Sequence, residues 1–225
     1  MAAAQFQLPD WFHLSAVFFG GIAGAIAAVR RRYDVIGVGV LALVSGLGGG
    51  LIRDVILQRG TPLIFTDGRY IIAVAFACVG AYGFSHWVKR LASVFSLLDA
   101  LGLAAYSVIG AQLSLTAGLS LPAAVVVGTI NAVGGGLIRD ILTREEPLMF
   151  RPGHFYALAA AAGSAAFVLL HRKVHLDGGT AGTTSVILAF ALRALAVRYD
   201  WRTRALSPTG EADAETKSPS TTENI

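Results

Sequence analysis

Two stretches of the chain, residues 48–54 and 134–140, both read Gly-Gly-Gly-Leu-Ile-Arg-Asp, at an offset of 86 positions (134 − 48). Each lies inside a long apolar run. Three glycines in a helix interior cost roughly 1 kcal/mol each relative to alanine in water. An arginine or aspartate near a bilayer centre costs about 2.5–3.5 kcal/mol on insertion scales. One such stretch could be an accident; the same stretch twice points to a functional core. Gly48, Gly49 and Gly50, like Gly134, Gly135 and Gly136, have no side chains and so permit a kink or break. A break frees carbonyls that solvate cations and amides that hold anions. In lipid, freed groups of this kind must face protein or a water-filled cavity.

The charges follow directly. Neighbouring positions on a helix do not face each other. Arg53 is therefore expected to meet Asp140, and Arg139 to meet Asp54, across a symmetry axis. Ser45 and Asn131 stand three residues ahead of the triplets and are expected to be polar liners of the same cavity. Asp99, at the start of another apolar run, reads either as a helix N-cap or as a charge at a pore mouth. Glycines in membrane helices also serve plain close packing, as Gly20 and Gly24 suggest, and Arg-Asp pairs can clamp crossed helices. Two symmetric triplets with intramembrane charges favour a permeation path over packing alone.

Other chemistry has little support. The segment from Gly46 to Leu51 fails the last position of G-x-G-x-x-G, and no Gly-Lys-Ser/Thr follows. His171, His175 and Asp177 have metal-like spacing but no further ligand cluster, so interface histidines around a loop are expected and no metal. The single cysteine, Cys78, excludes an intrachain disulfide and reads as a small apolar residue. No Ser-His-Asp set or paired acid-base carboxylates are visible. No catalytic residue is assigned, and an enzyme is not expected.

The elements that must carry these residues are membrane helices. Of 225 residues, 55% are hydrophobic and only 14% charged, with a mean hydropathy of +0.64, well outside the range of soluble domains. The formal charge of +4 comes from basic residues at the ends of apolar runs. Topology accounts for it better than nucleic acid, which is not expected as a partner. Seven spans are expected, at about 11–29, 35–57, 69–86, 94–115, 121–142, 154–171 and 181–198, the third and sixth being shortest. None alternates in polarity as barrel strands do. Arg193, near the end of the seventh, is expected to snorkel.

Loop charges orient the spans. Arg30, Arg31, Arg32, Lys89, Arg90, Arg144, Arg151, Arg198, Arg202 and Arg204 mark one side, against Arg59, Arg69, Arg172 and Lys173 on the other. This balance predicts an outside N-terminus and a cytoplasmic C-terminus. The first run is followed by three arginines rather than a cleavage site, so it is expected to remain as a span. The wider repeat matches Gly24-Ala25 with Gly110-Ala111, and 62–65 with 147–150 one residue short of the offset. Each unit holds three spans, so the second enters the membrane from the opposite side, as inverted repeats do. The expected division is an N-terminal segment (1–10), a first three-helix repeat (11–86), a second, inverted repeat (87–171), a seventh helix with flanks (172–204) and a disordered cytoplasmic tail (205–225).

At the doubled Gly-Gly-Gly-x-x-Arg-Asp motif, the three-plus-three-plus-one span count and the N-terminus placed outside, the chain resembles the prokaryotic branch of the trimeric intracellular cation channel family. The resemblance covers roughly residues 11–200. It implies an all-α, seven-helix membrane fold and a homotrimer with one pore per subunit, spans two and five kinked at the glycines. It also implies conduction of monovalent cations, potassium foremost, in the plasma membrane, with Arg53, Asp54, Arg139, Asp140 and Asp99 as pore or gating charges. No cofactor is expected beyond a permeant potassium or sodium ion, with membrane lipid as a bound companion. The same family is also described as a glycine-transporter domain. An amino-acid transporter would use the same parts, with an arginine or half-helix N-terminus holding the substrate carboxylate.

Overall fold

The computed structural model describes residues 8–83, 91–151 and 155–201. Among these residues there are eight helices and no strand: α1 (Asp10–Arg30), α2 (Val35–Ile56), the single turn α3 (Leu63–Thr66), α4 (Arg69–Gly83), α5 (Leu91–Thr116), α6 (Leu121–Leu142), α7 (Tyr156–Arg172) and α8 (Gly178–Arg198). The seven long helices fall on the seven expected spans, and α4 and α7 are the two shortest. The other five are long and apolar enough to cross a membrane. Lys89, Arg90, Arg202, Arg204 and the tail from residue 205 lie outside the described residues.

Local chemistry sets several helix ends. The Asp34 carboxylate accepts from the Gly37 amide at 2.8 Å and caps α2. Asp177 does the same for α8, accepting from the Thr180 amide at 2.9 Å. Pro122 sits in the first turn of α6, where a missing N–H is harmless.

The helices pack as two equivalent sets. In the first, α1 lies against α2 and α4; in the second, α5 lies against α6 and α7. The sets meet where α1 packs on α5 and where α2 crosses α6, while α8 leans mainly on the second set, against α5 and α7. Small residues make the close contacts: Ala16, Ala23, Ala25 and Ala28 of α1 are fully buried, as expected where helices must associate without a water-driven hydrophobic effect. Gly20 and Gly24 do pack closely. A Cβ on Gly20 would stand 3.2 Å from the Gly46 Cα, and one on Gly24 would overlap α2 at Leu41 and Ser45. Outward faces stay apolar, with Ile71, Ile72, Phe76 and Val79 of α4 exposed.

Ion pairs tie the loops. Arg31, after α1, pairs with Glu145, after α6, so these two loops share one end of the molecule. At the start of α4, Arg69 bonds Asp67 at 2.7 Å and Asp10 at 3.0 Å. The bond from the Arg69 guanidinium holds the exposed Asp67 carboxyl below the usual carboxylate range.

Candidate functional site

The two heptapeptides meet where α2 crosses α6. A Cβ on Gly49 would overlap the Asn131 carbonyl oxygen, and one on Gly135 would overlap the Ser45 carbonyl oxygen. Beside them, a Cβ on Gly48 would stand 3.0 Å from Ile138 Cδ1, and one on Gly134 would stand 2.9 Å from Ile52 Cδ1. Each of these contacts recurs with the two copies exchanged and each residue moved by 86, which defines a pseudo-two-fold axis through the crossing. The expected break does not occur: α2 and α6 are continuous helices through both triplets. The glycines instead remove the side chains that would hold the two backbones apart. The amides and carbonyls of the triplets stay bonded within their helices, which lipid favours over a break.

The charges are buried at this crossing but pair differently from the expectation. Arg53 donates from Nε and Nη2 to Asp54 Oδ1, at 2.9 and 2.7 Å. Arg139 donates from Nε to Asp140 Oδ1 at 2.9 Å and from Nη1 to Asp99 Oδ1 at 2.7 Å. Among the described residues, no ion pair joins Arg53 to Asp140 or Arg139 to Asp54. Neighbouring Cβ atoms do point apart, but an arginine side chain is long enough to fold back onto the next residue. Asp99 is no N-cap. It sits two turns inside α5, which begins at Leu91, and is 6% exposed.

The two halves are not identical. His13 occupies the position in the first half that Asp99 occupies in the second, 86 residues apart. Beside His13, Arg53, Asp54, Tyr70 and Tyr106 line a cavity of about 30 Å³. A second cavity of about 20 Å³ lies at the crossing, lined by Ser45, Gly49, Asp99, Asn131, Gly135 and Tyr156 among others. Ser45 and Asn131 both line this second cavity. Asn131 is fully buried and donates from Nδ2 to the Tyr106 carbonyl at 2.6 Å. The Tyr106 hydroxyl in turn donates to the Gly46 carbonyl.

Arg193 of α8 does not snorkel. It is 3% exposed, and its guanidinium carbon lies 5.0 Å from the centre of the Tyr156 ring, a buried cation–π contact. His13, Tyr106, Tyr156 and Arg193 were not singled out from the sequence as parts of this site. Applying the offset of 86 to the polar residues pairs, among others, His13 with Asp99 and Tyr70 with Tyr156. Arg193, outside the repeat, gives no such signal. The histidine cluster has structural uses: the ring of His171 stacks on Phe167, its Nδ1 lies 3.1 Å from the Leu176 carbonyl, and Asp177 caps α8. That capping bond to the Thr180 amide holds the Asp177 carboxyl below its ordinary range.

This arrangement is that of a helical membrane protein in which two similar three-helix sets close on a buried, charged crossing. The chain belongs to the family described as glycine transporter, which matches it twice, over residues 10–86 and 96–172. Among curated relatives, a UPF0126 membrane protein of Deinococcus radiodurans is 37% identical over 161 residues, 71% of this chain and 75% of that one. The UPF0126 inner membrane protein YadS of Escherichia coli is 30% identical over 194 residues, 86% of this chain and 93% of its own. Among solved structures, a TRIC trimeric intracellular cation channel orthologue from Rhodobacter sphaeroides superposes with a TM-score of 0.80 at 30% identity. That match covers 84% of this chain and 97% of the orthologue. A second structure, of a TRIC cation channel, matches with a TM-score of 0.79 at 31% identity over 90% and 98% of the two chains. The chain is therefore a multi-pass membrane protein, and its structural neighbours are channels, not enzymes.

Proposed function

We propose that this protein is a potassium-conducting monovalent-cation channel, a homotrimer with one pore per subunit lined by α2 and α6 at their glycine triplets. The observation that carries this reading is the near-complete coverage of two cation-channel structures at 30% and 31% identity, with the doubled charged motif at the centre of the matching fold. On this reading α1, α2 and α4 form one repeat, α5, α6 and α7 an inverted second one, and α8 follows, with the N-terminus outside and the C-terminus in the cytoplasm. Each arginine is neutralised by its own aspartate, which removes the repulsion that bare guanidinium groups would exert on a cation. Ser45 and Asn131 then supply polar oxygen to the path, Asp99 supplies charge, and no cofactor is needed.

A second reading is transport of glycine or another small amino acid. It is favoured by the family description and by Arg53, which lines a cavity and could hold a carboxylate. The cavity sizes weigh against it. At about 30 and 20 Å³ each takes a water-sized guest, whereas glycine brings an ammonium, a carbon and a carboxylate.

Purified protein in planar bilayers, run beside radiolabelled glycine uptake into liposomes, separates the two. Unitary currents that reverse at the potassium potential are expected, together with a trimer on mass measurement in detergent. Saturable glycine uptake without unitary current would sink the channel reading.

A further inference from the structure

The cavity at the α2–α6 crossing holds two buried oxygens with nothing to bond. Asp99 Oδ1 accepts from Arg139, but no described protein group donates to its Oδ2. Asn131 gives its amide nitrogen to Tyr106, and its Oδ1 likewise has no described donor. Buried acceptors are rarely left in this state, and here both belong to residues lining one small space. The repeat sharpens the point. Where the first half has His13 and Ser45, the second has Asp99 and Asn131, so the chain departs from its own symmetry to place a carboxylate and an amide oxygen at this wall.

We propose that this cavity is a binding site for a dehydrated monovalent cation, with the Asp99 carboxylate and the Asn131 amide oxygen as ligands; the inference rests on the channel reading above. The volume of about 20 Å³ suits a single particle of water's size, and a potassium or sodium ion stripped of its shell is of that order. Hard oxygen ligands suit such ions. Among the described residues no cluster of three His, Cys, Asp or Glu side chains exists to balance a divalent ion. The surrounding charges set the strength. Asp99 and Asp140 share Arg139, and Arg193 stands beyond the Tyr156 ring, so the four charges sum to zero before the ion arrives. A cation is held by oxygen dipoles and one near carboxylate, without a net negative trap. Conduction requires binding of that strength, firm enough to enter and weak enough to leave.

Thermal unfolding of the purified full chain tests this, in potassium chloride against N-methylglucamine chloride at equal ionic strength. The melting temperature is expected to be a few degrees higher in potassium and to saturate with its concentration. Asp99→Asn keeps the shape and should abolish the difference, and Asn131→Ser, which installs the first-half residue, should reduce it. Equal melting in the two salts, or a difference that survives Asp99→Asn, overturns the proposal and leaves the cavity to a water molecule. If Asp99→Asn does not fold, the wild-type comparison and Asn131→Ser carry the test. Potassium currents without potassium-dependent melting would overturn the site and spare the channel; potassium-dependent melting without currents would do the reverse.

Discussion

Replacing Gly49 by alanine puts a methyl group where the Asn131 carbonyl oxygen already stands, and Gly135→Ala does the same against Ser45. Backbone cannot rotate out of the way as a side chain can, so α2 and α6 must separate. Each change should destabilise the fold by about 1–3 kcal/mol, read as a lower melting temperature in detergent. Gly50→Ala is the contrast. Its nearest neighbour is the Arg53 guanidinium at 3.6 Å, an ordinary contact, and the helix gains up to about 1 kcal/mol of propensity. If Gly49→Ala melts like Gly50→Ala, the backbones do not touch at the crossing. The arginines should differ as well. Arg139→Ala strands two buried carboxylates, Asp99 and Asp140, whereas Arg53→Ala strands only Asp54. Breaking a buried pair costs about 3–5 kcal/mol, so Arg139→Ala should be the more damaging, and adding Asp99→Asn to it should restore part of the loss. No restoration would mean that Asp99 does not depend on Arg139. Residue types and spacing revealed which side chains gather here, but not how they pair. Cβ directions follow from helix geometry, whereas the reach of a guanidinium depends on what surrounds it.

At the scale of the helix, the same three glycines read two ways from sequence. Low propensity says break, and absent side chains say approach. Approach wins because α2 and α6 each find the other's glycines, a contact no single-helix argument contains. Helix positions were legible, since seven apolar runs of the right length leave little choice in lipid. Helix ends were less so: Asp99 looked terminal, whereas α5 begins eight residues earlier, at Leu91. The Asp177 cap offers a check on end chemistry. Asp177→Ala should lower the melting temperature by removing the acceptor for the Thr180 amide. Its carboxyl sits below the ordinary range when folded, so its contribution is complete above the usual carboxylate pKa of about 3.9. It fades as pH falls through the lower folded value. In an acid titration, wild type and Asp177→Ala should therefore converge at low pH. A gap that stays constant through the titration would show that the carboxylate is not the capping group.

For the whole molecule, the offset of 86 residues, visible in two heptapeptides, extends to helix packing, to the cavity walls and to the family match at residues 10–86 and 96–172. One thing lay beyond the sequence, the role of α8, which has no partner in the repeat and leans mainly on the second half, delivering Arg193 to the Tyr156 ring. The inequality of the halves is legible once the offset is applied, since the motif itself is letter-perfect and the divergence sits at His13, Asp99, Ser45 and Asn131 outside it. Apolar faces such as that of α4 remain exposed and are available to lipid or to neighbouring subunits of the proposed trimer.

The crossing also carries a statement about ancestry. The carbonyl at 131 leaves no room for a side chain at 49, and the carbonyl at 45 none at 135, so each triplet's close contact lies in the other copy. A forebear with one copy could have made these contacts only as a homodimer, its two chains meeting through the same patch across a two-fold axis. In a single chain the two partners need not be identical: the seven letters at the contact are alike in both copies, while residues along the cavity walls differ.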